Sequence, residues 1–136
     1  MRIVSWNIQW GRGADGRVDW ARILTVLRAF DADVLCLQEV ASRFDELPGS
    51  RGEDGPAILR GALPEYRGFY APALDVPRAH GGRALFGNWL GSRLPVEQVL
   101  RVSLPYLPPE TDKCMPRVLL EATLRVGEHR LRVATT

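Results

Sequence analysis

The sequence predicts an α/β fold, and three observations carry that prediction. A short branched strand at residues 2–6 runs into a stretch of helical periodicity and then into a second, continuously apolar strand, the βαβ order. Beyond it, extended segments dominate, about seven strands against two helices along the whole chain. Glycine- and proline-rich stretches separate them, as loops separate the elements of one ordinary domain.

The first strand leaves directly into a loop. In MRIVSWNIQWGRG, residues 2–6 alternate as a strand does, whereas Asn7, Gln9, Gly11 and Gly13 read as the turn departing from its end. The helix follows in VDWARILTVLRAF, where Trp20, Ile23, Leu24, Leu27 and Phe30 fall on one face and Asp19 is placed to cap the start. DADVLCLQEV then gives a strand at residues 34–37 that ends in polar Gln38 and Glu39.

Two strands joined by one helix lie parallel, so their carboxyl ends emerge on one edge of the sheet. Asn7 and Glu39 both sit there, on the edge where open α/β sheets bind ligands.

Residues 41–56 read as a long loop, 57–63 as a short helix and 66–71 as a strand. ALDVPRAHGGR reads as a second flexible loop before strands at 84–92 and 96–104. The prolines of PYLPPETDKCMP exclude a paired central strand. VLLEATLRV and HRLRVATT then alternate around Gly127-Glu128, a two-residue hairpin turn with glycine first. The chain reaches Thr136 still in strand character, so we expect residues 1–136 to be the N-terminal part of a single larger domain.

Composition narrows the function only broadly. The chain has 136 residues, 46% of them hydrophobic, enough for a real core. Eighteen basic residues against 16 acidic ones leave +2, which permits a phosphate-bearing partner without arguing for one. Cys36 and Cys114 are too few and too far apart for a disulfide scaffold or a cysteine zinc site, and two free thiols are expected. No secretory leader pattern or membrane-length apolar run is present, so a soluble, cytoplasmic domain is expected. His80 and His129 have no ligand-spaced neighbours and read as loop residues, and the four tryptophans are scattered as packing residues are.

In order and spacing, SWNIQWGRG, DADVLCLQEV, FGNWLGSRLPV and MPRVLLEATLRVGEHRLRVATT resemble the endonuclease/exonuclease/phosphatase superfamily. The resemblance implies a four-layer α/β sandwich, here truncated to about one sheet plus its helices. It also implies a metal-dependent phosphoesterase cleaving phosphodiester or phosphomonoester bonds. By the same resemblance Glu39 matches the metal-ligating glutamate and Asn7 the asparagine beside it. Arg117 matches an arginine, just ahead of a strand, that contacts substrate phosphate in some members, and Asn88 is a weaker substrate-binding candidate.

The implied cofactor is Mg²⁺, or Mn²⁺ in its place, and the partner a phosphate-ester substrate: nucleic acid, lipid-linked or small. A carboxylate is the hard ligand Mg²⁺ takes, and the ion commonly keeps several waters, so one strong protein ligand suffices. Family members carry a later histidine and a Gly-Asp-Xaa-Asn loop that complete the site; neither is present, so the chain is expected to hold the metal-anchoring half and to be inactive alone. A further departure is NWLGSRLP, where related proteins have smaller residues at Trp89 and a branched aliphatic at Gly91. Glycine inside a strand often marks a bulge. The alternative reading is a noncatalytic binding or scaffold module whose open sheet face pairs with a partner or a second copy.

Overall fold

The computed structural model describes residues 1–106 and 115–136, and Cys114 with most of the proline-rich segment lies outside them. The described residues form β1 (Ile3–Asn7), α1 (Trp20–Phe30), β2 (Val34–Ser42), α2 (Gly55–Ala62), β3 (Arg67–Pro77), β4 (Arg83–Ser92), β5 (Val96–Ser103), β6 (Val118–Val126) and β7 (His129–Thr135).

The βαβ opening forms as the sequence predicts. β1 and β2 pair in parallel, Ile3 opposite Val34 through Asn7 opposite Gln38. Asp19 caps α1 by accepting the Arg22 N–H at 3.0 Å. The helix buries Trp20, Ile23 and Leu27, three members of the face read from its spacing, with Leu24 and Phe30 partly buried beside them.

Two sheets result, ordered β1-β2-β4-β3 and β5-β6-β7. Where the sequence suggested about one sheet, the chain contributes strands to both. The cause lies in the alternation of β6, which buries Val118, Leu120, Ala122 and Leu124 on one face. Those side chains need an apolar surface, and Val34, Cys36, Ala71 and Leu90 of the first sheet supply it. Each fully buried Leu or Val there contributes about 1.5–3 kcal/mol of transfer free energy, so the seam between the sheets is a core in its own right. The face expected to stand open for a partner or a second copy is therefore covered over β2, β3 and β4 by the chain's own second sheet. α1 and α2 cover the opposite face with a second core that includes Leu35, Leu37, Val40 and Trp89.

Two loop assignments change. ALDVPRAHGGR is largely a hairpin: β3 continues to Pro77 and pairs with β4, and the turn closes with the Arg78 N–H on the Gly82 carbonyl. Pro72 and Pro77 of β3 are tolerated because β3 is an edge strand and Pro72 sits at a register shift. The loop read from residue 41 starts after Ser42, and the second helix begins at Gly55, capped by Asp54.

Gly91 does not mark a bulge either, since it pairs in register with Leu35 and Gly68. The reason is Trp89, 2% exposed on the helix side of the sheet. A Cβ on Gly91 would lie 2.2 Å from the indole, and one on Gly68 2.7 Å from it. The large residue and the two missing side chains are one packing solution.

Candidate active site

The strand ends meet as the βαβ geometry requires. Asn7 closes β1, and its Oδ1 accepts the Gln9 N–H at 3.0 Å. Gln9 and Trp10 then take left-handed backbone angles, φ 45° and 46°, before Gly11 at 89°. The Trp10 indole donates to the Pro48 carbonyl at 3.1 Å, so this loop is tied to the loop that follows β2. The glycines and short polar residues that punctuate the first motif exist to make this tight exit.

Glu39 is placed by a β-bulge. Leu37 pairs with Trp89 and Val40 with Gly87, which leaves Gln38 and Glu39 together opposite Asn88. Leu35, Leu37 and Val40 all pack toward the helices, so the alternation slips by one residue between them. That slip turns Glu39 to the same side as Gln38, toward the second sheet. The cost is a left-handed backbone at Glu39, φ 57°, where a Cβ is disfavoured by roughly 1–2 kcal/mol. The bulge is held from both flanks: the Ile8 N–H donates to the Gln38 carbonyl at 3.1 Å, and the Tyr70 hydroxyl donates to the Val40 carbonyl at 2.9 Å. Burial, with Asp54 and Asp75 nearby, pushes the Tyr70 phenol above its ordinary range, so that donor keeps its proton.

Two hollows that share Gln38, Arg117 and Thr136 divide the sequence-predicted residues: Glu39 and Asn88 line one, Asn7 the other, and Arg117 both. A 20 Å³ crevice, room for one water-sized group, is lined by Gln38, Glu39, Asn88, Arg117 and Thr136 among others. A 450 Å³ shelf beside it is lined by Ser5, Asn7, Gln38, Arg117, Ala134, Thr135 and Thr136. Arg117, exposed just before β6, borders both. Neither its guanidinium nor the half-buried Glu39 carboxylate has a hydrogen bond or ion pair with the described residues.

Asn88 is buried, 6% exposed, and its Nδ2 donates to the Val118 carbonyl at 2.9 Å, binding β4 to β6 beneath the crevice. One of its two amide donors is thus committed to holding the sheets together. His80 and His129 are exposed and lie outside both hollows. Gln38, Thr135 and Thr136 line the hollows without having been singled out. The signal available for Gln38 was the three-residue step between Leu37 and Val40, which breaks strand alternation.

The donor set suits a hard, water-rich ion. Among the described residues no group of three or more His, Cys, Asp or Glu side chains converges, which leaves no tetrahedral cage of the zinc type. A carboxylate unpaired among the described residues, with the Asn88 amide lining the same crevice, is a sparse oxygen set of the kind Mg²⁺ accepts while retaining waters.

The family signature described as the Endonuclease/Exonuclease/phosphatase family matches residues 4–131. The chain belongs to that family. Its members are typically hydrolases of phosphate esters. An endonuclease/exonuclease/phosphatase from Beutenbergia cavernae DSM 12333 is 30% identical with a TM-score of 0.71, over 98% of this chain and 36% of that one. A family protein from Leptotrichia buccalis C-1013-b is 14% identical with a TM-score of 0.69, over 100% of this chain and 54% of the other. The human Nocturnin catalytic domain, solved with a bound sulfate anion, is 20% identical with a TM-score of 0.52, over 98% of this chain and 48% of that one. The chain thus spans between 36% and 54% of these structures' lengths. The comparison with curated proteins returns no match. No described helix is long and apolar enough to cross a membrane.

Proposed function

We propose that this chain carries the metal-anchoring half of a phosphoesterase site, with Glu39 as the principal ligand of Mg²⁺ or Mn²⁺ and Asn7 beside it. The observation that carries the reading is the bulge, which spends backbone strain to present a carboxylate in a crevice bordered by an arginine, both unpaired among the described residues. When bound, the ion would polarise a phosphoryl oxygen and offset charge on the leaving group. Arg117 supplies a planar pair of donors for the same phosphate, and Asn88 fixes the crevice floor and offers its remaining carbonyl.

Catalysis also needs a base to take the proton of the attacking water. His80 and His129 lie outside both hollows. The isolated chain is accordingly proposed to bind metal and phosphate without efficient turnover, and to work with further groups that complete the site. A cytoplasmic location belongs to the same proposal.

Calorimetric titration of Mn²⁺ into the chain, with Glu39→Ala beside it, tests the ligand assignment. Binding that disappears in the variant supports it, and equal behaviour of the two proteins removes it. Assay with a generic aryl phosphodiester tests the rest. Turnover near the uncatalysed rate is expected, whereas robust Mg²⁺-dependent hydrolysis abolished by Glu39→Ala would show the chain complete.

A further inference from the structure

Gln38 lies one residue from Glu39, and its side chain is bound on three sides. Its Nε2 is 2.7 Å from the Thr135 hydroxyl, 3.1 Å from the Ser5 hydroxyl and 3.2 Å from the Cys36 carbonyl. The Cys36 oxygen can only accept, which fixes the amide with its NH₂ toward this group. Two hydrogens serve three acceptors, so the shortest contact, to Thr135, takes one proton and Ser5 and Cys36 share the other.

The three partners come from different strands. Ser5 is on β1, Cys36 on β2, and Thr135, 4% exposed, is on β7 of the other sheet. The Gln38 carbonyl meanwhile accepts the Ile8 N–H next to Asn7. One residue therefore fixes the end of β1, the bulge of β2 and the end of β7, and each of those carries a residue lining the hollows: Asn7, Glu39 and Thr136.

We infer that Gln38 is a positioning residue, which through Thr135 holds the second sheet against the bulge and so sets where the Glu39 carboxylate points. The inference rests on the metal-site reading above. A left-handed glutamate has no local preference for its observed conformation. Something outside the residue must hold it there, and the clamp does so from the neighbouring position. Supporting groups of this kind typically tune metal affinity by 10–100-fold.

Two measurements on the intact chain test it. In the first, Mn²⁺ affinity is read from water-proton relaxation for wild type, Glu39→Ala, Thr135→Val and Thr135→Ser. Thr135→Val keeps the shape and removes the acceptor, and is expected to weaken Mn²⁺ roughly tenfold. Thr135→Ser restores the hydroxyl and is expected to recover most of the loss, which a packing role for the threonine methyl would not produce. If Glu39→Ala abolishes binding while Thr135→Val leaves it unchanged, the clamp is refuted and the metal site stands.

In the second, the Gln38 carboxamide protons are followed by NMR without metal. Slow solvent exchange that Thr135→Val accelerates, together with a shifted Glu39 amide, supports the clamp. Exchange as fast as that of a free glutamine overturns it. Should Mn²⁺ bind wild type and Glu39→Ala equally, the metal reading fails and this second result alone decides whether Gln38 positions Glu39.

Discussion

The two ends of the β1–β2 pair are built on opposite terms. Where the strands begin, polar groups are tied to one another: the Arg2 N–H donates to Asp33 at 2.7 Å, the Tyr66 hydroxyl to the Ala32 carbonyl at 2.6 Å, and Arg93 to Asp31 at 2.6 Å. Arg93 also lies over the Tyr66 ring, 4.7 Å from its centroid, and 3.7 Å from Glu65. Where the strands finish, Gln9, Trp10, Glu39 and Arg43 hold left-handed angles, against Asp31 alone where they begin, and Glu39 and Arg117 stay unpaired among the described residues. One end spends its polar groups on cohesion. The other keeps them available and stores strain to do so, which is the usual signature of a binding site.

That contrast can be broken or sharpened by substitution. The largest effect is expected from Gly91→Val near the cohesive end, because the new Cβ would meet a buried indole that has nowhere to move. A loss of about 3 kcal/mol in urea unfolding is expected, at the upper range for overpacking. Unchanged stability would mean that Trp89 is not packed as described.

Between the ends, Cys36 gives a pH effect. Burial pushes its thiol up to about 11 from the ordinary 9.0. Between those values the unfolded chain releases the proton and the folded chain keeps it, so the unfolded state binds fewer protons and stability falls as pH rises. The contribution is fully present below pH 9 and gone above 11, roughly 2 kcal/mol in all. The unfolding free energies of wild type and Cys36→Ala should diverge by about that amount between pH 8 and 11. Parallel curves would show the thiol to be solvated.

Arg93→Ala removes a largely exposed ion pair and a cation–π contact, together about 1 to 1.5 kcal/mol. It should leave Mn²⁺ affinity untouched, and a change there would join two ends that the structure keeps apart. The smallest effect distinguishes the ends most directly. Glu39→Gly should be more stable than Glu39→Ala by about 1 kcal/mol, because only the glycine relieves the left-handed backbone. If alanine is as stable as glycine, no strain is stored at the bulge.

The sequence made the backbone plan of this molecule legible wherever periodicity was strong. The βαβ opening, the Asp19 cap and the Gly127 hairpin follow from local chemistry and formed as expected. Asn7 and Glu39 were picked out as candidates because parallel strands must end together, and the structure does end them on one edge. The second sheet was missed because alternation says that β6 has an apolar face but not what it faces. The β3–β4 hairpin was missed because Pro72 and Pro77 argue against strands in general, and only an edge position excuses them. Gln38 escaped notice for a different reason: the step between Leu37 and Val40 marks its position, but its partner Thr135 lies 97 residues away, and no local pattern announces that bond.

The indole of Trp89 over Gly68 and Gly91 also imposes an order on sequence change. Shrinking position 89 first leaves a void, costly but survivable, into which an aliphatic at 91 can then grow. Enlarging 91 first puts two side chains in one volume and is closed as a first step. Descent between this arrangement and one with a small residue at 89 and an aliphatic at 91 therefore runs through position 89, and a lineage that has once paired a tryptophan with two glycines does not easily leave.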